Sequence, residues 1–153
     1  MKDRGRASAP VRVWSRVSAS VEDMSVGTRF VIWAPVVLHM MFIFVLSSMS
    51  SPPTLPGGLG DKSGHALLYC GLGALLVRAW AGGWRRPVTW GTAVAAVAAA
   101  TLYGVTDEIH QHFVPHRQTD FADVLADAVG AGAAAGALYV RSRAAESARR
   151  RGV

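Results

Sequence analysis

The sequence predicts an all-α fold: a four-helix transmembrane bundle with both termini cytoplasmic and its polar chemistry towards the outer leaflet. Three observations lead there. Hydrophobic residues make up 51% of the 153-residue chain, yet they are gathered into four blocks divided by polar or Pro/Gly-rich segments. Each block approaches the about 20 apolar residues that a helix needs to cross a bilayer. The basic residues fall almost wholly on one side of the resulting topology.

The first block, at 30–48, contains Pro35 and His39 but no charge. The second, at 62–80, runs from Lys62 to Trp80, with Arg78 close enough to its end to snorkel. The third, at 88–106, is built of alanine, glycine, threonine and valine. The fourth, at 121–140, carries Asp123 and Asp127 in its first half and no charge after them. A soluble bundle fits poorly, because the third block and the latter half of the fourth are apolar all round rather than along one stripe.

Lys2, Arg4, Arg6, Arg12, Arg16 and Arg29 precede the first span, and Arg78, Arg85 and Arg86 lie between the second and third. Arg141, Arg143, Arg149, Arg150 and Arg151 follow the fourth, whereas only Lys62 and Arg117 fall on the other side. This asymmetry orients the chain in the membrane with its basic side in the cytoplasm. Residues 1–28 are expected to be a flexible basic tail and 141–153 a second one. The first span is expected to be an uncleaved anchor, with Met24 an alternative start. The net charge of +6 follows from topology and contact with anionic lipid, and no folded polar region remains to bind nucleic acid. The lone Cys70 excludes an intrachain disulfide and a thiolate-rich metal site and reads as a small buried apolar residue.

Two segments then face outward: MSSPPTLPGGLGD and TDEIHQHFVPHRQTDFADVLADAVG. In the second span Asp61, His65 and Tyr69 recur at i, i+4 and i+8 and share one face, with Asp61 expected to cap the helix after Gly60. The third helix should continue towards Pro115, which stops it. There Glu108 and Gln111 are expected inward, the Asp107/His110 pair turned away, and His110 and His112 near water or headgroups. Asp120 suits the N-cap of the fourth span, with Asp123 closing a capping-box-like turn. Asp127 is too deep for a cap, roughly 10 Å into the helix. An ionised carboxylate at mid-membrane costs about 2.5–3.5 kcal/mol, so Asp127 should face inward beside a partner, His65 or Arg117. Gly132 and Gly136 form a GAAAG surface suited to close helix packing, and a homo-oligomer is open.

The segments IFVLSS, DKSGHALLYCGLG, DEIHQHFVPHR and DFADVLADAVGAGAAAG together resemble the VanZ-like family of small bacterial membrane proteins. They cover about two thirds of the chain, in family order. The family's polar signature falls on Asp61, Lys62, His65, Tyr69, Glu108, Gln111, Pro115, Arg117, Asp123, Asp127 and Gly130. Two positions depart from it: His116 stands where glycine is common, and Asp127 where many members have asparagine. The resemblance implies a cell-envelope role, the namesake being associated with resistance to the glycopeptide teicoplanin.

These residues leave several functions open. In the first, Asp61, Lys62, His65, Tyr69, Glu108, Gln111, Arg117, Asp123 and Asp127 form a polar cluster that binds a membrane lipid or a lipid-linked cell-wall precursor headgroup. Arg117 would suit its phosphate, because a guanidinium can bond it bidentately. The second is a metal-assisted hydrolase or transferase on a lipid-linked substrate, with His65, Glu108, His112 and Asp123 as candidate ligands. Against it, no HExxH, nucleophile elbow or cofactor fingerprint occurs, so no cofactor is expected. The third is a proton-coupled transporter, and the plainest is a polar cluster that only locks the helices together.

Overall fold

The computed structural model describes residues 25–51 and 60–152. The expected tail up to residue 24 and most of the first outward segment lie outside them. Among the described residues the chain forms four helices and no strand: α1 (Val26–Ser47), α2 (Asp61–Ala81), α3 (Trp90–Gln111) and α4 (Phe121–Arg150). The helices coincide with the four blocks, and α2 and α4 form the central pair, flanked by α3 and then α1.

Three of the helices, α1, α2 and α4, are long and apolar enough to cross a membrane. α3, the expected third span, is of similar length but rich in alanine, glycine and threonine, and is not among them. The cause lies in its packing. Its inner face is made of Ala93, Ala96, Ala100 and Gly104, all buried, while larger groups, Val94, Leu102, Val105 and Ile109, stand exposed on the outside. α1 likewise exposes Phe30, Val37, Leu38, Met41 and Phe42, a surface suited to lipid rather than water.

Close helix approach comes from glycines other than those the GAAAG run suggests. A Cβ on Gly73 would stand 2.8 Å from Ala131 Cα, and one on Gly130 would run into the Ala66 carbonyl oxygen, so α2 and α4 meet backbone to backbone. At Gly132 and Gly136 nothing lies within 4 Å of an added Cβ, so these two glycines pack against no helix among the described residues.

α1 continues through Pro35. Proline has no N–H, so the carbonyl four residues earlier, on Val31, loses its helical partner. Arg78 of α2 supplies one: Nη2 donates to Val31 O at 3.3 Å and Nη1 to Ile32 O at 2.9 Å. Arg78 therefore does not snorkel as its position near the helix end suggests, and its guanidinium also sits 5.8 Å from the Trp84 ring centre. Arg78→Ala is expected to cost about 1–2 kcal/mol by orphaning a carbonyl. In a Pro35→Ala background, which restores the missing N–H, the same change should cost clearly less. Unfolding of the four combinations in mixed detergent measures this, and equal costs would remove the link between the two residues.

The remaining ends differ from the sequence reading in instructive ways. α2 is capped by the backbone of Gly60 rather than by Asp61, which is the first helical residue. It ends at Gly82 with φ 79°, and the Gly83 N–H reaches back to Arg78 O at 2.9 Å. α4 does not stop at residue 140 but continues to Arg150, through the stretch expected to be a tail. That stretch, RSRAAESARR, is rich in strong helix formers and carries an Arg143–Glu146 pair at 3.1 Å. Cys70 is half-buried.

Candidate functional site

The polar residues of α2, α3 and α4 meet at one end of the bundle, where α2 and α4 begin and α3 ends. Helix phase explains the meeting. With about 100° per residue, Gln111 falls between Asp107 and Glu108, so the three form one arc rather than two opposed faces. All three are buried, Asp107 at 4%, Glu108 at 7% and Gln111 at 1% exposure, which overturns the expectation that Asp107 turns away. Gln111 joins them: its Nε2 donates to Asp107 Oδ2 at 3.0 Å, and its Oε1 accepts from Arg117 Nη2 at 2.6 Å and Nε at 3.2 Å.

α3 ends at Gln111 rather than running on to Pro115. The next N–H groups, of Phe113 and Val114, bond to His110 O and Gln111 O in tight turns. Within this turn His116 holds φ 65°, a left-handed conformation in which glycine is easiest and histidine is enriched among other residues. His112 is exposed and its ring packs on Phe113, while His110 shares a 3.0 Å hydrogen bond with Ser48 at the end of α1.

At the start of α4, Asp120 is the N-cap, its Oδ1 accepting from Ala122 N at 2.9 Å. Asp123 does not close the expected capping box. A carboxylate from another helix does so: Glu108 Oε2 accepts from the Asp120 N–H at 3.0 Å. Asp123 is thereby left to face α2, where Lys62 Nζ lies 3.3 Å from its Oδ1 and 2.6 Å from Asp120 Oδ2. The Lys62 ammonium, and after it the Ala122 N–H, holds the Asp120 carboxyl below the usual carboxylate range.

Deeper in, His65 Nδ1 donates to Asp127 Oδ1 at 3.0 Å, and Asp127 is 0% exposed. Of the two partners expected for Asp127, His65 is the one the fold supplies, because Arg117 is engaged by Gln111. Gly104 makes room for the carboxylate, since a Cβ there would collide with Asp127 Oδ2. The His65 ring stacks on Tyr69, with centres 6.4 Å apart and planes 8° apart, and Tyr69 is wholly buried. Several buried atoms of the cluster hold no hydrogen bond among the described residues: Tyr69 OH, Asp107 Oδ1, Glu108 Oε1 and Asp127 Oδ2.

Every candidate from the sequence reading thus lies in or beside this cluster. Asp107 and Gly104 are the residues that reading missed. Their shared phase with Gln111 and Glu108 was the available signal.

A family model described as VanZ/LLP1 matches residues 16–142. The chain belongs to that family. The match spans all of the four helices except the far end of α4, and the VanZ/LLP1 assignment with three strongly apolar helices makes this a membrane protein. No curated protein and no solved structure matches the chain.

Proposed function

We propose that this polar cluster is a headgroup site at the outer leaflet of the bacterial plasma membrane, acting on a membrane lipid or a lipid-linked cell-wall precursor. The observation that carries the reading is the combination of burial with incomplete bonding. A cluster serving only to lock helices would pair its groups, because each buried unpaired polar group costs about 1–3 kcal/mol. Here Glu108 Oε1, Asp127 Oδ2, Asp107 Oδ1 and Tyr69 OH have no hydrogen-bond partner among the described residues. The edge of the cluster is open, with Asp61, Lys62 and Asp120 exposed.

Arg117 and Lys62 supply the positive charge for a phosphate at this edge. Arg117 retains unused guanidinium donors beyond its bonds to Gln111, and Lys62 stands over the start of α4. The excess of arginine on the other side of the expected topology supports an outward orientation of this face. A role in glycopeptide susceptibility, teicoplanin included, follows if the bound headgroup belongs to a cell-wall precursor.

The test is binding of the purified protein to nanodiscs containing a polyprenyl phosphate, against nanodiscs of phosphatidylcholine alone. Arg117→Ala is expected to weaken the phosphate-dependent part at least ten-fold, about 1.4 kcal/mol. Unchanged affinity in that variant rules the role out.

The His65–Asp127 pair favours a second reading, a hydrolase or transferase on the same lipid-linked class. A buried carboxylate that fixes the Nδ1–H tautomer leaves Nε2 as a base. Turnover of a polyprenyl phosphate ester lost in His65→Gln would favour this reading over binding alone.

A further inference from the structure

The cluster is unbalanced in charge. Asp61, Asp107, Glu108, Asp120, Asp123 and Asp127 converge on it, whereas the fixed cations are Lys62 and Arg117, and Arg117 is bonded to Gln111. Lys62 touches Asp120 and Asp123 but is not bonded to Asp61 or His65. One ligand atom each from Asp61, His65 and Asp123 lie within 4.8 Å of one another. We infer that Asp61, His65 and Asp123 form a site for a divalent metal cation of the zinc or manganese class.

Four features support the assignment. The donors come from both helices of the central pair, Asp61 and His65 one helical turn apart on α2 and Asp123 on α4. Backbone contact at Gly130 and Gly73 fixes the spacing of those helices. A four-coordinate ion with bonds of about 2.0–2.2 Å spaces its ligands roughly 3.4 Å apart, so a small inward closure completes the set. Three protein ligands leave a coordination position free, the pattern of sites that bind a substrate oxygen or water rather than of purely structural ones.

The histidine is also prepared for the task. With Nδ1–H held by Asp127 at 3.0 Å, the neutral form of the ring would present a lone pair on Nε2, which has no hydrogen bond among the described residues. A metal-ligating histidine characteristically donates its other ring N–H to a carboxylate in this way, which orients the ring and raises its basicity. Asp127, too deep to be a cap, acquires a reason for its depth: it is one layer behind the metal. Beside the buried His65, Glu108 Oε1 is a further carboxylate oxygen without a partner. The donor set of two carboxylates and an imidazole fits manganese or zinc better than a soft or an all-oxygen ion. The set differs from the one suggested by sequence, since His112 is exposed beside Phe113 and Glu108 is engaged by the Asp120 N–H.

The site rests on the same cluster as the headgroup reading, so the metal is tested with no lipid-linked phosphate present. Chelator-treated protein in detergent is titrated with zinc and, separately, with manganese, by calorimetry for both and by electron paramagnetic resonance for manganese. One equivalent of at least one metal is expected to bind. Asp61→Asn, at an exposed position that the fold does not depend on, should weaken it at least ten-fold, as should Asp123→Asn. His112→Ala and Glu146→Gln should bind as the unaltered chain does. Binding of neither metal overturns the site, and so does binding that survives Asp61→Asn and Asp123→Asn, because the loop histidines would then be the chelators. A metal-free protein that still binds polyprenyl phosphate through Arg117 leaves the headgroup reading in place and removes the metal alone.

Discussion

His65→Leu is expected to be the most damaging single substitution in the bundle, costing about 3–5 kcal/mol. Among the described residues the imidazole is the sole side-chain hydrogen-bond partner of Asp127, and the pair is buried, with side-chain exposures of 8% and 0%. Leucine fills much of the volume but leaves the carboxylate with no donor. The double variant His65→Leu/Asp127→Leu should be more stable than His65→Leu alone, because an apolar pair in a low-dielectric interior avoids the uncompensated charge. Asp127→Asn should cost far less, since the amide keeps a carbonyl oxygen where Oδ1 now accepts from Nδ1. Reversible unfolding in mixed micelles would order the variants. A double variant less stable than His65→Leu would show that the pair contributes more than mutual compensation.

The second large effect is expected from Gly130→Ala, at about 3 kcal/mol, the upper part of the range for overpacking. The added Cβ meets the backbone of Ala66, with its carbonyl carbon at 2.8 Å and Cα at 3.0 Å besides the colliding oxygen. Backbone cannot move aside by changing rotamer, so α2 and α4 must part. Intrinsic helix preference works in the opposite direction, by about 1 kcal/mol in favour of alanine. Gly132→Ala isolates that preference, because nothing lies within 4 Å of the new methyl. It should be neutral or stabilising. Two glycines two residues apart on one helix are therefore expected to respond with opposite signs. If both substitutions destabilise alike, the face bearing Gly132 is packed against something outside the chain.

Parting α2 from α4 would also move Asp61 and His65 away from Asp123. Gly130→Ala should therefore weaken metal binding even under conditions where the variant remains folded.

The blocks, though not all of their ends, were legible because membrane helices announce themselves by length and apolarity, and the depth of Asp127 was legible from simple rise per residue. His65 was nameable as a partner because it lies about a turn into the helix that starts at the same end. What the sequence concealed was mostly a matter of counting phase in pairs. Asp107/His110 and Glu108/Gln111 look like two opposed faces until Gln111 is seen to be four residues from Asp107 and three from Glu108. Other features required a second helix to be visible at all. Glu108 takes the capping task expected of Asp123, and a chain read one segment at a time has no means of exchanging those roles. The GAAAG run misled for a related reason: small residues permit close approach without specifying which of them is approached.

The bond between Arg78 and the carbonyl freed by Pro35 has a consequence for how α1 finds its place. α1 is joined to its neighbours largely through main-chain oxygens. Arg78 reaches Val31 O and Ile32 O, and Tyr103 reaches Met40 O at 2.7 Å, while α1's own His39 reaches Leu68 O at 2.9 Å. Every residue offers the same carbonyl, so such bonds alone would let the helix slide along its axis. Proline removes that degeneracy by leaving one carbonyl in α1 without its helical partner. Pro35 thus works as an address for docking, and shifting it by one turn should move the register of α1 by about 5.4 Å. The buried Ile32 and Val36 on either side of it would be displaced from the core with it.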